Sequence, residues 1–312
     1  MITEVRLFQG LQGPRMDEPE WVAAGRYVCD KVARTRNGAR LELLGVEDAI
    51  RSAGFPTSRT VGPDSARSVA ETLVAEALPR AAVSWRPGID PDNAVPAFVA
   101  DDRWASLSGG TDTSGISTGI ATALGGEVWA DARGVITVGP VPTLADPIVW
   151  RIPYGVALVE PAEEQSAEGL VNVWVISGDG GDGSPSVGPV FVWDDDPNSI
   201  TYAGPDPVGD PLAPQRLGLT GVRVRVERYA SPLITSVGQA YDVGRAKLAD
   251  SLGVQSSLSF TASCHPGLEP GDVVEVEVRP GEWQRHLIDS CPYTLGAAVM
   301  SCTTRTSARR LT

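Results

Sequence analysis

Alternation of apolar and polar residues with a period of two recurs along this sequence and constrains its fold more than any other feature. In Gly221–Arg228 the run GVRVRVER places Val222, Val224 and Val226 on one side and charged residues on the other, which is the pattern of a strand buried on one face. Similar stretches, separated by turns rich in Gly, Pro and Asp, predict a β-rich chain. The further predicted strands are 148–152, 156–160, 171–176, 257–263, 273–278, 286–290 and 298–304.

Two hairpins are predicted in the first half of the chain. The alternating stretches Arg26–Ala33 and Ala39–Val46 flank Asn37-Gly38, a dipeptide that favours the two-residue turn of a β-hairpin. Glu127–Trp129 and Val135–Val138 flank a short turn in the same way. Because an isolated two-stranded hairpin is only marginally stable in water, each hairpin must join a larger sheet.

Three segments have the 3.6-residue periodicity of an amphipathic helix instead. The clearest is 64–78, where Asp64 is placed to cap the start and Pro79 to end the helix. The spacing of apolar residues also predicts helices over 113–124 and 236–252. In the last helix the expected apolar stripe consists of Val237, Ala240, Tyr241, Gly244, Leu248 and Leu252.

The length and charge of the chain limit its organisation and its partners. Its 312 residues are enough for two or three domains. The formal net charge of −13 disfavours binding to the phosphate backbone of nucleic acids. No apolar run reaches the roughly 18–20 residues that a membrane-spanning helix needs, and the first residues do not form a secretory signal. We therefore expect a protein made and kept soluble in a cytoplasm unless an assembly carries it out.

One short motif resembles a hydrolase active site. Gly115–Gly119 matches the pattern G-x-S-x-G, in which Ser117 would be the nucleophile. That chemistry needs a preceding strand and a nearby histidine, but the preceding residues are polar and Gly-rich, and the chain has only His265 and His286. A helix start or loop is the favoured interpretation of the motif, and both histidines are expected to be structural. Glu160, Glu163 and Glu164 could supply one carboxylate of a glycoside hydrolase. Nothing in the sequence supplies the second carboxylate that must face it at a set distance.

Candidate metal ligands are also present. Clustered carboxylates at Asp179, Asp182 and Asp194–Asp196 would suit Ca²⁺, but they lack the spacing of an EF-hand, and solvated turns are favoured. The spacing of the candidate zinc ligands fits no finger or ribbon, so free buried thiols are favoured. These candidates are Cys264, His265, His286, Cys291 and Cys302. The sequence therefore predicts no catalytic residue, no metal site and no cofactor.

Several stretches, taken in order, resemble the tail hub (minor tail) proteins of long-tailed phages that infect actinobacteria, and through them the baseplate hub family. The likeness runs from about residue 20 to residue 304. It is carried by Gly25–Val32, Ala66–Leu78, Asp102–Trp104, Leu124–Val138, Gly169–Val175, Asp195–Ser199, Tyr229–Ile234, the helix predicted at 236–252, and Pro266–Val274. The rarity of lysine, found only at Lys31 and Lys247, agrees with a GC-rich genome.

The resemblance implies an α+β, β-rich, multi-domain fold with two tube-like β-barrel domains, each flanked by a helix, and a smaller α/β insertion. The expected domains are an N-terminal tube-like β domain at 1–60, an α/β insertion domain at 61–140, and a second tube-like β-barrel domain at 141–312 with a loop-rich insertion at about 177–218. Members of the family carry further strands before Gly25. The first β domain is therefore expected to be incomplete: either it needs a strand from another chain, or the true start of the protein lies upstream.

The function that the resemblance implies is structural rather than enzymatic. A hub subunit forms a ring, expected to be a homotrimer, that caps the tail tube and surrounds the channel for the tape measure protein and DNA. The expected partners are copies of the chain, a distal tail protein or tail-tube ring, the tape measure protein, and tail fibre or spike proteins. DNA meets the protein only in transit. The expected location is the tail tip of the virion, after assembly in the host cytoplasm.

Two other functions remain open on the sequence. The first is cell-wall hydrolysis through Ser117 or a carboxylate pair. The second is a carbohydrate-binding tail module in which exposed tryptophans stack on sugar rings. Burial in a core is the more common fate of such residues, and the candidates are Trp129, Trp150, Trp174, Trp193 and Trp283.

Overall fold

The computed structural model describes ten stretches of the chain and divides it into two compact units. The described residues are 4–11, 17–109, 119–155, 162–166, 170–178, 186–199, 201–209, 224–251, 255–292 and 298–306. The first unit is formed by residues 1–140, 177–188 and 230–243, and the second by 141–176, 189–229 and 244–312. The three domains expected from the resemblance stay a prediction.

The chain is β-rich with few helices, as the alternation predicts. The elements of the first 140 residues are β1 (Glu4–Leu11), β2 (Glu20–Thr35), β3 (Gly38–Gly45), α1 (Val46–Ser52), β4 (Arg59–Val61), β5 (Asp64–Ser65), α2 (Ala66–Ala77), β6 (Val83–Trp85), β7 (Ala94–Val95), β8 (Phe98–Ala100), α3 (Arg103–Ser108), α4 (Ile120–Ala123), β9 (Gly126–Ala130) and β10 (Ile136–Pro140). Those of the remainder are β11 (Ile148–Ile152), β12 (Ala162–Ser166), β13 (Val173–Gly178), β14 (Val187–Trp193), β15 (Val226–Ser231), α5 (Val237–Ser251), β16 (Gln255–Ser263), β17 (Val273–Arg279), β18 (Glu282–Ser290) and β19 (Val299–Thr306).

The strands pair into several separate sheets. The three-stranded sheets have the orders β1-β2-β3, β6-β10-β9 and β14-β13-β15, and a six-stranded sheet has the order β11-β17-β18-β19-β16-β12. Two further sheets consist of β4-β8 and β5-β7. None of these sheets closes into a barrel within the described stretches, so the two tube-like barrels are not confirmed.

The helix predicted over 64–78 is α2, and its first turn explains where it begins. Ser65 has an extended backbone, and its hydroxyl accepts a hydrogen bond from the Ser68 N–H at 3.2 Å. Asp64 accepts instead from the Ser68 hydroxyl at 2.6 Å. The capping residue is therefore Ser65, and the prediction of Asp64 was wrong by one position. The helix faces the core of the first unit with Ala66, Val69, Ala70, Leu73 and Val74.

The first predicted hairpin is present, but its turn is shifted. Thr35 pairs with Gly38, so the two turn residues are Arg36 and Asn37, and Gly38 already belongs to β3. Strand β2 begins at Glu20 rather than at residue 26, and it pairs with β1 along its other edge. The hairpin thus joins a three-stranded sheet, as its marginal stability requires. The second predicted hairpin is confirmed as β9 and β10.

Short helices were the least predictable elements of the first unit. The helix predicted over 113–124 is described only from Gly119 onward, where α4 spans Ile120–Ala123. Helix α3 was not predicted, because six residues are too few to show a period. Its start is fixed by Asp102, whose carboxylate accepts a hydrogen bond from the Ala105 N–H at 2.8 Å.

The six-stranded sheet supplies the core of the second unit. In β17, Val274, Val276 and Val278 are buried, whereas Glu275 and Glu277 are only half-buried on the opposite face. The strands predicted at 148–152, 257–263, 273–278, 286–290 and 298–304 are confirmed as β11, β16, β17, β18 and β19. The strand predicted at 156–160 lies outside the described residues, and that predicted at 171–176 is β13.

Two features of the middle of the chain were not predicted. The segment 177–218, expected to be a loop-rich insertion, contains a strand, β14, which Gly188 and Pro189 concealed by interrupting its apolar pattern. In β15 the side chain of Val226 is 53% exposed, although the alternation placed it inward. Because β15 begins at Val226 and lies at the edge of its sheet, it does not continue the alternation read from Gly221.

The long helix α5 is confirmed, but its buried stripe is rotated. Val237 and Tyr241 are 55% and 45% exposed, so their assignment to the apolar stripe was wrong. Leu252 lies outside the described residues. The buried positions are Gln239, Ala240, Val243, Gly244 and Leu248.

Candidate interaction surface

The sheet β1-β2-β3 has no fully buried side chain among those described in its three strands. In the same unit, by contrast, α2 buries Leu73 and Val74 completely. A sheet of three strands gains its stability from an apolar face packed against a second layer. On neither face of this sheet does the rest of the described chain bury a side chain completely.

Four large apolar side chains of this sheet are exposed: Phe8 by 53%, Trp21 by 66%, Val32 by 55% and Leu41 by 46%. Phe8 pairs with Ala23, two residues from Trp21, so Phe8 and Trp21 share a face. Val32 and Leu41 are directly opposed across β2 and β3. The two pairs lie near opposite ends of β2, roughly 35 Å apart at the rise of an extended strand. The strand registers place Val32 and Leu41 on the face opposite to Phe8 and Trp21, so these four residues form two separate apolar patches of the first sheet.

Four charged side chains of the sheet form two cross-strand pairs. Arg26 donates to the carboxylate of Glu4 at 2.7 Å, and this hydrogen bond is the main reason that the pKa of Glu4 is lowered. Lys31 lies 3.5 Å from Glu42 across β2 and β3. These four side chains are satisfied within the sheet, whereas the exposed apolar residues have no such partner beside them.

The edges of the sheet are open as well. Strands β1 and β3 are the outer strands, and within the described residues neither has a further strand beside it. Open edges present backbone N–H and C=O groups to an incoming strand, so proteins cover them or use them for assembly. The first sheet therefore combines exposed apolar side chains with two edges that accept a strand.

Most candidate residues for hydrolysis lie where the structure gives no description of them. Gly115–Thr118, including Ser117, and Glu160 lie outside the described residues, as do the side chains of Glu163 and Glu164 in β12. His286 is fully buried in β18. The ring of His265 lies 4.9 Å from that of Trp150. Both histidines pack within the second unit, and the absence of a catalytic residue stays a prediction.

The acidic cluster proposed for Ca²⁺ forms a folded turn where it is described. Asp194 is 5% exposed and accepts a hydrogen bond from the Thr201 hydroxyl at 2.5 Å. Asp196 accepts from the Asn198 N–H at 2.9 Å. Within the described stretches no three His, Cys, Asp or Glu side chains converge as metal ligands. Asp179 and Asp182 lie outside those stretches.

The five candidate tryptophans differ in exposure. Trp174 is 8% exposed, and its indole N–H donates to the Ser251 hydroxyl at 2.9 Å. Trp283 on β18 is 43% exposed, and the other three are half-buried. The most exposed tryptophan described, Trp21, was missed because its strand was predicted to begin at residue 26. The signal was the β pattern running back from Gly25, which the hairpin boundary cut short.

Comparison with known proteins relates the fold, and not the sequence, to phage tails. No family model and no curated protein sequence matches the chain. Among solved structures, the chain is similar to the tail protein from Neisseria meningitidis MC58, with a TM-score of 0.56, 12% identity, and 90% of this chain and 80% of that one covered. It is also similar to the prophage MuSo2 43 kDa tail protein from Shewanella oneidensis, with a TM-score of 0.52, 12% identity, and 97% and 89% covered.

These likenesses extend over nearly the whole chain. At 12% identity they concern the fold: the chain shares its architecture with tail proteins of two bacterial genomes.

Among the described residues, no helix combines the length and the apolar character needed to cross a membrane.

Proposed function

We propose that the chain is a non-enzymatic structural subunit of a phage tail. The observation that carries this proposal is the fold shared with two tail proteins over 90% and 97% of the chain. The open first sheet supports it, because a subunit of an assembly leaves surfaces for its neighbours to cover.

The finer proposal is a hub at the tail tip. Three copies form a ring that caps the tail tube and encloses the channel for the tape measure protein and DNA. The ring contacts a distal tail protein or tail-tube ring above and fibre or spike proteins below, after assembly in the host cytoplasm. The net charge of −13 supports a channel wall to which DNA does not adhere. A phage of actinobacteria is the proposed source.

The first sheet is the proposed contact between copies. Trp21 exposes 66% of its surface, and covering about 100–160 Å² of an indole contributes about 3 kcal/mol. Loss of that contribution weakens association roughly a hundred-fold at each interface. An extra strand beside β1 or β3 would add backbone hydrogen bonds to this apolar contact.

The test is the mass of the full chain in solution. Size-exclusion chromatography with light scattering, together with native mass spectrometry, is expected to give a trimer for the natural chain at micromolar concentration. Phe8→Ser combined with Trp21→Ser is expected to give a monomer. The matched control is Trp283→Ser, which removes an exposed tryptophan from a strand of the other unit and should leave the trimer intact. A natural chain that stays monomeric, or a control that dissociates equally, would contradict the proposed interface.

A second candidate, carbohydrate binding, is favoured by one observation. Trp283 and Tyr154 are 43% and 47% exposed on either side of Glu277, which pairs with Trp283 across two strands and accepts the Tyr154 N–H at 2.9 Å. Exposed aromatic rings beside a carboxylate suit a sugar ring. Binding to a host cell-wall glycan that is lost in Trp283→Ala and kept in Trp21→Ala would establish this function in place of the first.

Hydrolysis of the cell wall is tested separately. Zymography on host cell wall is expected to show no clearing by the natural chain. Clearing that disappears in Ser117→Ala would overturn the structural proposal.

A further inference from the structure

Two cysteines of the second unit lie close together at the end of neighbouring strands, where Cys291 interacts electrostatically with Cys302. Ser290, the last residue of β18, pairs with Thr303 of β19, and continuing this register by one position places Cys291 opposite Cys302. Directly opposed side chains have Cβ atoms about 4.5–5.5 Å apart, and a disulfide needs about 3.5–4.5 Å. A small adjustment of the two strands and a rotation of the side chains therefore bring the sulfur atoms within bonding distance.

Both thiols belong to the same core. Cys302 is 1% exposed within the apolar core of the six-stranded sheet, and Cys291 packs against that core. Burial raises the pKa of Cys291 to about 11 and that of Cys302 to about 12. Neither cysteine is in a disulfide. At neutral pH both thiols are therefore protonated, and no charge repulsion opposes their approach.

In this reduced state the thiol of Cys291 has another partner. Its Sγ lies 3.4 Å from the carbonyl oxygen of Leu268 and donates to it. Leu268 is 5% exposed and lies in the turn between β16 and β17. Rotation of the thiol toward Cys302 breaks this contact, so the redox state of the pair is coupled to the anchoring of that turn.

We propose that Cys291 and Cys302 form a reversible cross-strand disulfide when the protein meets a small-molecule disulfide such as oxidised glutathione. The half-buried Cys291 reacts first: it loses its proton to solvent and attacks one glutathione sulfur, whose S–S bond breaks and releases one glutathione thiolate. Cys302 then loses its proton, attacks the Cys291 sulfur and displaces the second glutathione. Two protein thiols are oxidised to one disulfide, and one glutathione disulfide is reduced to two thiols. This inference is independent of the proposed function.

The experiment identifies the linked cysteines directly. The full chain is incubated with oxidised glutathione under native conditions, quenched in acid, alkylated and digested, and linked peptides are identified by mass spectrometry. We expect Cys291–Cys302 as the dominant link, with two of the four cysteines losing their reactivity toward the alkylating agent and regaining it after dithiothreitol. Because the reaction starts from a thiol with a pKa of about 11, its rate should rise about tenfold per pH unit between pH 7 and pH 9.

Two variants complete the test. Cys264→Ser removes another cysteine of the same unit and should leave the link intact, whereas Cys302→Ser should stop at a mixed disulfide between glutathione and Cys291. Circular dichroism verifies that both variants are folded. The disulfide mapping of the natural chain tests the proposal even if a variant does not fold. A dominant link between a different pair, or four alkylatable thiols after incubation, would overturn the proposal.

Discussion

Replacing Asn172 by alanine removes the centre of a buried polar network in the second unit. The side chain is 0% exposed, donates from Nδ2 to the Thr201 carbonyl at 2.9 Å, and accepts at Oδ1 from the Arg225 N–H at 2.7 Å. Thr201 is 1% exposed, so its carbonyl would lose this donor where water has little access. An unsatisfied buried group costs about 1–3 kcal/mol, and the smaller side chain adds a cavity cost of about 1 kcal/mol. Arg225 is exposed, so water can replace its lost acceptor. The expected destabilisation is about 3 kcal/mol.

Urea unfolding followed by tryptophan fluorescence measures this loss, because Trp174 lies in the same unit. Asn172→Asp should destabilise at least as much at neutral pH, since a buried carboxylate oxygen would then face the Thr201 carbonyl. The matched control is Asn198→Ala: Asn198 is exposed and should change the free energy of unfolding by less than about 0.5 kcal/mol. An Asn172→Ala variant as stable as the control would refute the role of this network.

Three further predictions use thermal or urea unfolding. Gly238→Ala should stabilise α5 by about 0.5–1 kcal/mol, since its Cβ meets open space, whereas Gly244→Ala should destabilise by about 1–3 kcal/mol, since its Cβ would lie 2.5 Å from Val192 Cγ2; the opposite order would contradict the packing of this helix. Ser65→Ala should cost about 1 kcal/mol by removing the cap of α2, and an unchanged midpoint would refute the capping role. Burial raises the pKa of Asp272, so its contribution to stability is fully present below the pKa of the unfolded carboxyl and is lost as pH rises through the folded value. Asp272→Asn should therefore gain stability relative to the natural chain between acidic and neutral pH, and a constant difference would contradict this assignment.

Local periodicity predicted the long elements well. The alternation in β17 and the helical spacing in α2 are set by side chains that pack against the core of their own unit, so sequence and structure agree there. The spacing that identified α5 gave its length but not its buried face: Val237 and Tyr241 fit the stripe, yet they are exposed. Which of two overlapping stripes is buried depends on neighbours distant in sequence, and periodicity contains no information about them.

The candidate surface was only partly predictable. The hairpin around Asn37 indicated a sheet, but β1 was not predicted as a strand, so its pairing with β2 was not predicted either. Trp21 is exposed because no other described element packs over it. Whether an element does so depends on the whole unit and not on the local sequence. Burial is the more common fate of a tryptophan, and no feature of the sequence around Trp21 indicated its exposure.

Electron cryo-microscopy of the assembled full chain tests the central claim most directly. The claim predicts a closed ring of subunits in which a neighbouring copy covers Phe8 and Trp21 or adds a strand beside β1 or β3. Particles that remain single chains with this sheet in solvent, or a ring whose contacts leave the sheet uncovered, would contradict it.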